Sequence, residues 1–496
     1  MEYLVNSSEM KRCDSNTIHK IGVPSMVLME RAALSSVEEL YDGSFNLEKV
    51  IVVCGSGNNG GDGFAVARLL YLNKINVDIL FIGDERSCTK ETKQQMDIVR
   101  KYGIRISKDL SFKNYTTIVD AIFGIGISRS IEGKYAEIID KINRSQADVL
   151  SLDIPSGISA DTGKIMGIAI KAKRTVTFGY KKVGLVLYPG AEYAGVVKVK
   201  DIGITDIGFE NQYPFIYSYT KDDLKRIPKR QDYSNKGTYG KVLVIAGAVN
   251  MGGAAYFAAK STYKMGVGLV KVFTPEENRT ILQTMLPEAI LSTYDKNNID
   301  MESLKKAVNW ASAIVLGPGM GIGKNTKDIL SLVLSNTKVP LVIDADGINT
   351  IAKYPELLEN HHKEIILTPH LGEMARLIKK DIRQIANNLI DESERYAGKQ
   401  NIVCVLKDTR TIVSDGKSGI YVNQSGNNGM ATGGAGDVLT GVIAGLLGQG
   451  MKILDAATLG VYIHGLAGDI ASEKLGHYSV LADDIIDGIN EVLKAF

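Results

Sequence analysis

The sequence predicts an α/β protein of two domains, each a doubly wound, mostly parallel sheet. Three observations carry this. At 496 residues the chain is too long for one ordinary core. Short β-branched runs alternate with helical patterns from end to end, and apolar strands separated by helices make a parallel sheet covered on both faces. The series also restarts: VVCGSGNNGG (52–61) and VIAGAVNMGG (244–253) are each an apolar run entering a glycine-rich turn.

In the first series the strands are KVIVVCG (49–55), NVDILFIG (76–83), TTIVDAIFG (116–124), DVLSLDIPSG (148–157) and RTVTFG (174–179). Between them GFAVARLLYLN, TKQQMDIVRKYG and YAEIIDKINR carry apolar residues at three- and four-residue spacing, the period of a helix with one buried face. MVLMERAALSSVEEL (26–40) is a helix added before the first strand. The second series runs through GKVLVIAG (240–247), GLVKVFTP, AIVLGPGMG, PLVIDADGIN, EIILTPHLGE and NIVCVLKDTRTIVSDG. The stretch between the two series, 211–240, mixes tyrosines, two prolines and a basic cluster. The expected domains are therefore 1–214 and 215–496.

Composition narrows the class. Hydrophobic residues make up 45% of the chain and the formal net charge is +2, which gives no electrostatic reason to expect a nucleic acid or an anionic membrane as partner. Cys13, Cys54, Cys88 and Cys404 form no C-x-x-C pair, and free thiols in a reducing compartment are expected. The N-terminus has no signal pattern, and no apolar run approaches the roughly 20 residues needed to cross a bilayer. The expected location is cytoplasmic.

The first candidate site lies where the first strand ends. Gly55, Gly57 and Gly60 fit the dinucleotide fingerprint G-x-G-x-x-G, with Asp84 near the place of the ribose-binding acid. Close packing of helix on strand would explain the glycines equally well. Polar residues argue for more. Asn59 and Asp62 fall at the C-terminal edge of the sheet, where open α/β folds bind ligands. Asp120 sits in an apolar strand, and Asp153 ends another, in LDIPSG, with Ser156 just beyond. Each aspartate alone would be read as a strand-end cap. Three at neighbouring strand ends could bind a hard cation or serve as general acid or base.

LMERAA, NNGGDGF, VDAIFG and LDIPSGI, in this order, resemble the N-terminal half of bacterial NAD(P)H-hydrate repair enzymes, the YjeF-type epimerases. The resemblance implies a Rossmann-like domain that interconverts the two C6 epimers of hydrated NADH or NADPH. It implies substrate binding by Asn58, Asn59, Gly60, Gly61 and Asp62, and by a second loop of Gly124, Ile125, Gly126, Ile127, Ser128, Arg129 and Ser130. Asp153 would be the acid/base and a substrate contact, with potassium held by Asn59, Asp120 and Ser156. Ser159 departs from the family, which more often has Asp there.

The second candidate site is GNNGMATGGAGDVLTG (426–441). Gly433, Gly434, Ala435 and Gly436 precede an apolar helix, so their N–H groups can cradle a phosphoryl group, with Asp437 placed to take a proton from an attacking hydroxyl. With KGTYGKVLVIAG, LGPGMG, VIDADGIN and TPHLGEMARL it resembles the ribokinase-like ADP- or ATP-dependent NAD(P)H-hydrate dehydratases. The resemblance implies Asp437 as base and Lys407, Asp408, Thr409, Arg410 and Thr411, with Gly433 to Gly436, as the ADP site. Ala254, Gly319, His370 and Asp437 would hold the hydrated substrate. Mg²⁺ is expected with the nucleotide. Leu371 and Arg410 depart from the usual family residues. Asp344 and Asp346 could be a metal pair or could organise a turn, and His361-His362 reads as a solvated loop.

Two other readings compete with a bifunctional repair enzyme. One is a ribokinase-class kinase for a vitamin precursor with a regulatory N-terminal domain. The other makes the N-terminal domain a binding module without chemistry. A homo-oligomer is expected on any of them.

Overall fold

The computed structural model describes residues 1–359 and 364–494; His361 and His362 lie outside them. The chain divides into two compact units, Tyr3–Ile216 and Tyr217–Phe496, the latter with Met1–Glu2.

In the N-terminal unit seven strands lie in the order Ile106–Ser107, Val77–Phe81, Val50–Cys54, Thr117–Ala121, Asp148–Leu152, Arg174–Phe178 and Val196–Lys200. All neighbouring pairs are parallel. The run VIVVC is apolar throughout because both its faces are covered. Val50, Val52 and Cys54 pack with Phe64 on one side, and Ile51 and Val53 pack with Ile138, Ile139 and Ile142 on the other. From Val50–Cys54 the chain winds outward to Ile106–Ser107, then returns to pair Thr117–Ala121 on the opposite edge of the first strand. The switch point between these two central strands opens a crevice at their C-terminal ends.

The structure corrects one expectation here. The glycine-rich stretch is not a loop: the helix spans Asn58–Leu72, with Gly57 as its extended N-cap. Asn and Gly are poor helix formers, so this first turn is set by packing. A Cβ at Gly60 would stand 2.0 Å from the Gly55 carbonyl oxygen, and one at Gly55 2.1 Å from that of Ile122. Secondary structure also begins before the expected helix at 26–40. Helix Ser7–Asn16 precedes Ser25–Leu40, and Leu4 and Val5 pair in parallel with Lys181 and Lys182.

The C-terminal unit has parallel strands in the order Ile290–Tyr294, Leu269–Pro275, Lys241–Ile245, Ala313–Leu316, Leu341–Ile343, Ile365–Leu367 and Val403–Leu406. Ile412–Ser414 and Ile420–Val422 then add antiparallel, so the KDTRT segment is a hairpin turn. The switch point falls between Lys241–Ile245 and Ala313–Leu316. Helix Ala435–Gly448 is buried throughout from Val438 onward and lies close on helix Gly252–Lys264, where a Cβ at Gly441 would meet the Ala258 carbonyl oxygen at 2.3 Å. No helix among the described residues is long and apolar enough to cross a membrane.

Candidate functional sites

Each unit holds a site at its own switch point. In the N-terminal unit a cavity of about 940 Å³ is lined by Asn58, Asn59 and Asp62 from the first turns of one helix. The second loop, Phe123 to Ile131, lines it as well, together with Asp153. Gly60 and Gly61 do not line it. They are buried on the packed side of that helix, and a Cβ at Gly61 would stand 2.6 Å from Met29 Cε. Gly124 brings the two sides together: a Cβ there would be 3.5 Å from both Asn59 Cβ and Asp153 Oδ2. Asp84 is outside the lining and caps the short turn at Arg86.

Asp120 is fully buried and does not line the cavity. Its Oδ2 accepts from Ser151 Oγ at 2.8 Å and from the Ser156 amide at 2.9 Å. Its Oδ1 accepts from Ser156 Oγ at 2.6 Å, and Ser156 Oγ accepts in turn from the Phe123 amide at 2.9 Å. The carboxylate thus ties two strand ends together, and burial pushes its pKa up. Asn59 is different. Its side chain is buried, and neither Oδ1 nor Nδ2 has a protein partner, an arrangement that costs free energy unless a ligand or ion completes it.

Asp153 has a left-handed backbone, φ 65°, which turns its side chain into the cavity at the end of its strand. Oδ1 accepts from Lys182 Nζ at 2.5 Å. Asp62 and Asp14 line the same cavity. Burial first, then the charges of Asp153 and Asp14, push Asp62 well above the usual carboxylate range against the opposing pull of Lys182. Burial and the Asp153 charge push Asp14 up too.

In the C-terminal unit, Gly434 has φ 91° and caps helix Ala435–Gly448 with no side chain over its N-terminus. A Cβ at Gly434 would stand 2.8 Å from the Phe257 ring, whereas Gly433 faces open space. The Ala435 N–H is taken by the Thr432 carbonyl at 3.4 Å; the remaining N–H groups of this turn and the helix dipole favour an anion. Beside them Lys407 Nζ donates to Asp344 Oδ1 at 2.8 Å, and a Cβ at Gly436 would be 3.5 Å from that ammonium. Asp437 stands in the same first turn. Burial, and then the Asp344 charge, push its pKa up to about 7, with Lys407 opposing.

His370 pairs with Lys407 through an isolated parallel bridge, and its Nδ1 accepts from the Gly372 and Glu373 amides. Gly319 and Ala254 meet at the switch point, where a Cβ on Gly319 would be 2.8 Å from Ala254 Cβ. Asp408 to Thr411 form the turn after Val403–Leu406, where Arg410 Nη1 donates to the Gln424 carbonyl at 3.5 Å. Asp344 and Asp346 part company: Asp346 organises the turn by accepting from the Gly321 amide at 2.8 Å, while Asp344 belongs to the site.

Residues 242–491 match the family model described as NAD(P)H-hydrate dehydratase. Residues 25–184 match the model of the YjeF-related protein N-terminus. The bifunctional NAD(P)H-hydrate repair enzyme of Moorella thermoacetica is 34% identical, over 99% of this chain and 97% of its own length. The chain belongs to the bifunctional NAD(P)H-hydrate repair enzymes. The family's Coxiella burnetii member is 36% identical over 94% of both chains. Among solved structures, the ADP/ATP-dependent NAD(P)H-hydrate dehydratase of Bacillus subtilis, co-crystallised with ATP and Mg²⁺, is 28% identical with a TM-score of 0.50. It covers 56% of this chain, and the match spans 97% of that protein. A ribokinase-like superfamily protein of Enterococcus faecalis, 29% identical with a TM-score of 0.52, covers 57% of this chain and 97% of its own.

Set against this repair-enzyme family, several site residues escaped sequence reasoning. Lys182 follows Lys181 in GYKKVGL and reads as a surface charge, yet it is 1% exposed. Asp14 sits in a polar helix that no motif marks. Glu373 is buried beside His370, its pKa raised by burial. His464, within helix Ile453–Leu475, hydrogen-bonds to the Ala435 backbone and is held down at about 4 by burial, its Nε2 without a partner. The available signal was a histidine or a carboxylate at a position that helical periodicity puts inside.

Proposed function

We propose that the two halves perform successive steps of one repair. The N-terminal half interconverts the R and S epimers of hydrated NADH and NADPH. The C-terminal half converts the S form to NAD(P)H at the expense of ADP, releasing AMP and phosphate. The observation that carries the reading is Asp437: a carboxylate held near neutral pH, one helical turn from an anion-favouring N-terminus, with Lys407 beside it. A base of that strength can deprotonate the C6 hydroxyl as it attacks a phosphoryl group, since proton transfer is best matched when the base titrates near the working pH. The helix amides and Lys407 offset the charge of the phosphoryl group in transit. Once phosphorylated, the oxygen leaves C6 as phosphate with its electron pair, C5 gives up a proton to solvent, and the C5=C6 double bond re-forms.

In this reading Ala254, Gly319 and His370 contact the hydrated ring, and Lys407 to Thr411 with Gly433 to Gly436 hold the nucleotide. Mg²⁺ comes with the nucleotide, as countercharge to its phosphates; no group of three or more His, Cys, Asp or Glu among the described residues could cage a metal. In the N-terminal half, Asn58 to Asp62, Gly124 to Ser130 and Asp153 take the hydrated nucleotide. In this reading the unpartnered Asn59 Oδ1, together with Asp120 and Ser156, would hold a potassium ion, which would lend positive charge to the substrate phosphates. Four buried free cysteines fit a cytoplasmic setting. Val27 and Leu34, about half exposed and two turns apart on one helix, support self-association.

The test uses purified full-length protein and a mixture of hydrated NADH epimers, with ADP, ATP or neither, in Mg²⁺, following absorbance of the reduced ring. Full recovery of both epimers with ADP supports both activities. Recovery of about half leaves the dehydratase alone, and no recovery with either nucleotide overturns the reading.

A further inference from the structure

We propose that Lys182 clamps Asp153 as the base of a carboxylate pair in the N-terminal cavity, and that the other member, Asp62, delivers the proton that opens the substrate's C6–O bond. The proposal rests on the epimerase reading and adds the division of labour within it.

Lys182 is a saturated cation. Its ammonium donates to Asp153 Oδ1, to Thr177 Oγ1 at 2.9 Å and to the Phe178 carbonyl at 3.0 Å. Three donors meet three acceptors, so no proton is left for a ligand. The side chain is 1% exposed. A buried ammonium in direct contact favours the charged carboxylate. The lysine claims Oδ1, and Oδ2 is the atom turned toward Gly124 and the cavity. The strand that carries Lys182 is anchored by Leu4 and Val5, which accounts for the N-terminal strand as a brace for this ion pair.

Asp62 has the opposite surroundings. It takes no hydrogen bond from the protein among the described residues, and the like charges of Asp153 and Asp14 act on it more strongly than Lys182, which is already engaged. Two carboxylates in one cavity, one clamped by a cation and one with no hydrogen-bond donor, divide into base and acid.

The step balances as follows. The Asp62 carboxyl proton passes to the C6 hydroxyl, and the C6–O bond breaks with its electron pair, releasing water. The ring-nitrogen lone pair forms the C=N bond. Water then adds to the opposite face of C6, the π pair returns to nitrogen, and Asp153 takes the proton released by the added water. Solvent proton exchange returns Asp153 and Asp62 to their starting states.

The test follows interconversion of the two epimers by chromatography, without nucleotide, in the full-length protein across pH. Lys182→Met is expected to lower kcat by about 100-fold, leave KM within about threefold, and move the acidic limb up. Lys182→Arg should restore the limb. Asp62→Asn should lose the basic limb together with kcat, and Asp62→Glu should keep both. An unmoved acidic limb in Lys182→Met, with only a lower Tm, makes Lys182 a structural pin and overturns its role. Wild-type kcat in Asp62→Asn overturns the donor. If Lys182→Met does not fold, infrared spectroscopy of the wild type decides: a protonated carboxyl band at pH 7 that vanishes in Asp62→Asn supports the pair, and its absence overturns it. A wild-type protein that interconverts nothing fails the epimerase reading itself, before any variant is read.

Discussion

Thr440 Oγ1 donates to Asp344 Oδ2 at 2.8 Å, and through that bond a helix-borne hydroxyl aims the carboxylate that holds Lys407. Asp344 is 2% exposed, so neither oxygen has water to fall back on. Thr440→Val removes the aim and keeps the volume. The expected outcome is a rise of about tenfold in KM for ADP, the worth of one well-placed hydrogen bond, with kcat changed less than threefold. Steady-state dehydration kinetics read both.

If Asp437 is the base, the dehydration rate is expected to show an acidic limb near pH 7. Asp344→Asn removes one of the charges that hold it there, so Asp437 loses its proton at lower pH and the limb moves down. A limb that stays or moves up contradicts the arrangement.

Asp437→Ala should abolish dehydration, by at least about 100-fold, and leave interconversion of the epimers intact. Equal loss of both activities would contradict two separate sites.

The same group has a cost in stability. An acid that titrates near 7 when folded, but in the ordinary carboxylate range when unfolded, binds its proton more tightly in the fold. The folded state therefore loses stability as pH rises from about 4 to about 7 and keeps that deficit above. Asp437→Asn should raise Tm by several degrees at pH 8 and leave it unchanged at pH 4. Thermal melts at the two pH values separate this from a general packing effect.

Asn59→Ala tests the unpartnered amide. If the side chain serves a potassium ion, the wild type should show a higher Tm and faster epimerisation in potassium than in tetramethylammonium chloride. The variant should lose that difference while keeping its dehydration rate.

Much of this was legible in the residues. Asp153 could be found because it ends an apolar strand, Asp437 because it follows a glycine cluster at the start of an apolar helix, and the strands because both faces of each parallel sheet are covered. The start of the helix at Asn58 was not, because local propensity argues against it and only the contact of Gly60 with the Gly55 carbonyl sets it. Lys182 was hidden for another reason. Its acceptors, Asp153, Thr177 and Phe178, gather only when Leu4 and Val5 seat its strand, and no short window of sequence contains that event. His464 looked like one residue of a long apolar helix, and only folding sets it against Ala435.

Gly57 and Gly60 differ in a way that reaches past this chain. Gly57 has open space at its missing Cβ, whereas Gly60 has a carbonyl oxygen 2.0 Å away. The fingerprint spacing thus records how closely a helix can lie against a strand, and it says little about what the bound nucleotide is asked to do. A scan keyed to those glycines pools chains that use nicotinamide as a hydride carrier with chains that mend it. The residues between the glycines carry the distinction, and anyone rewriting such a turn for another chemistry would leave the glycines alone and edit Asn58, Asn59 and Asp62.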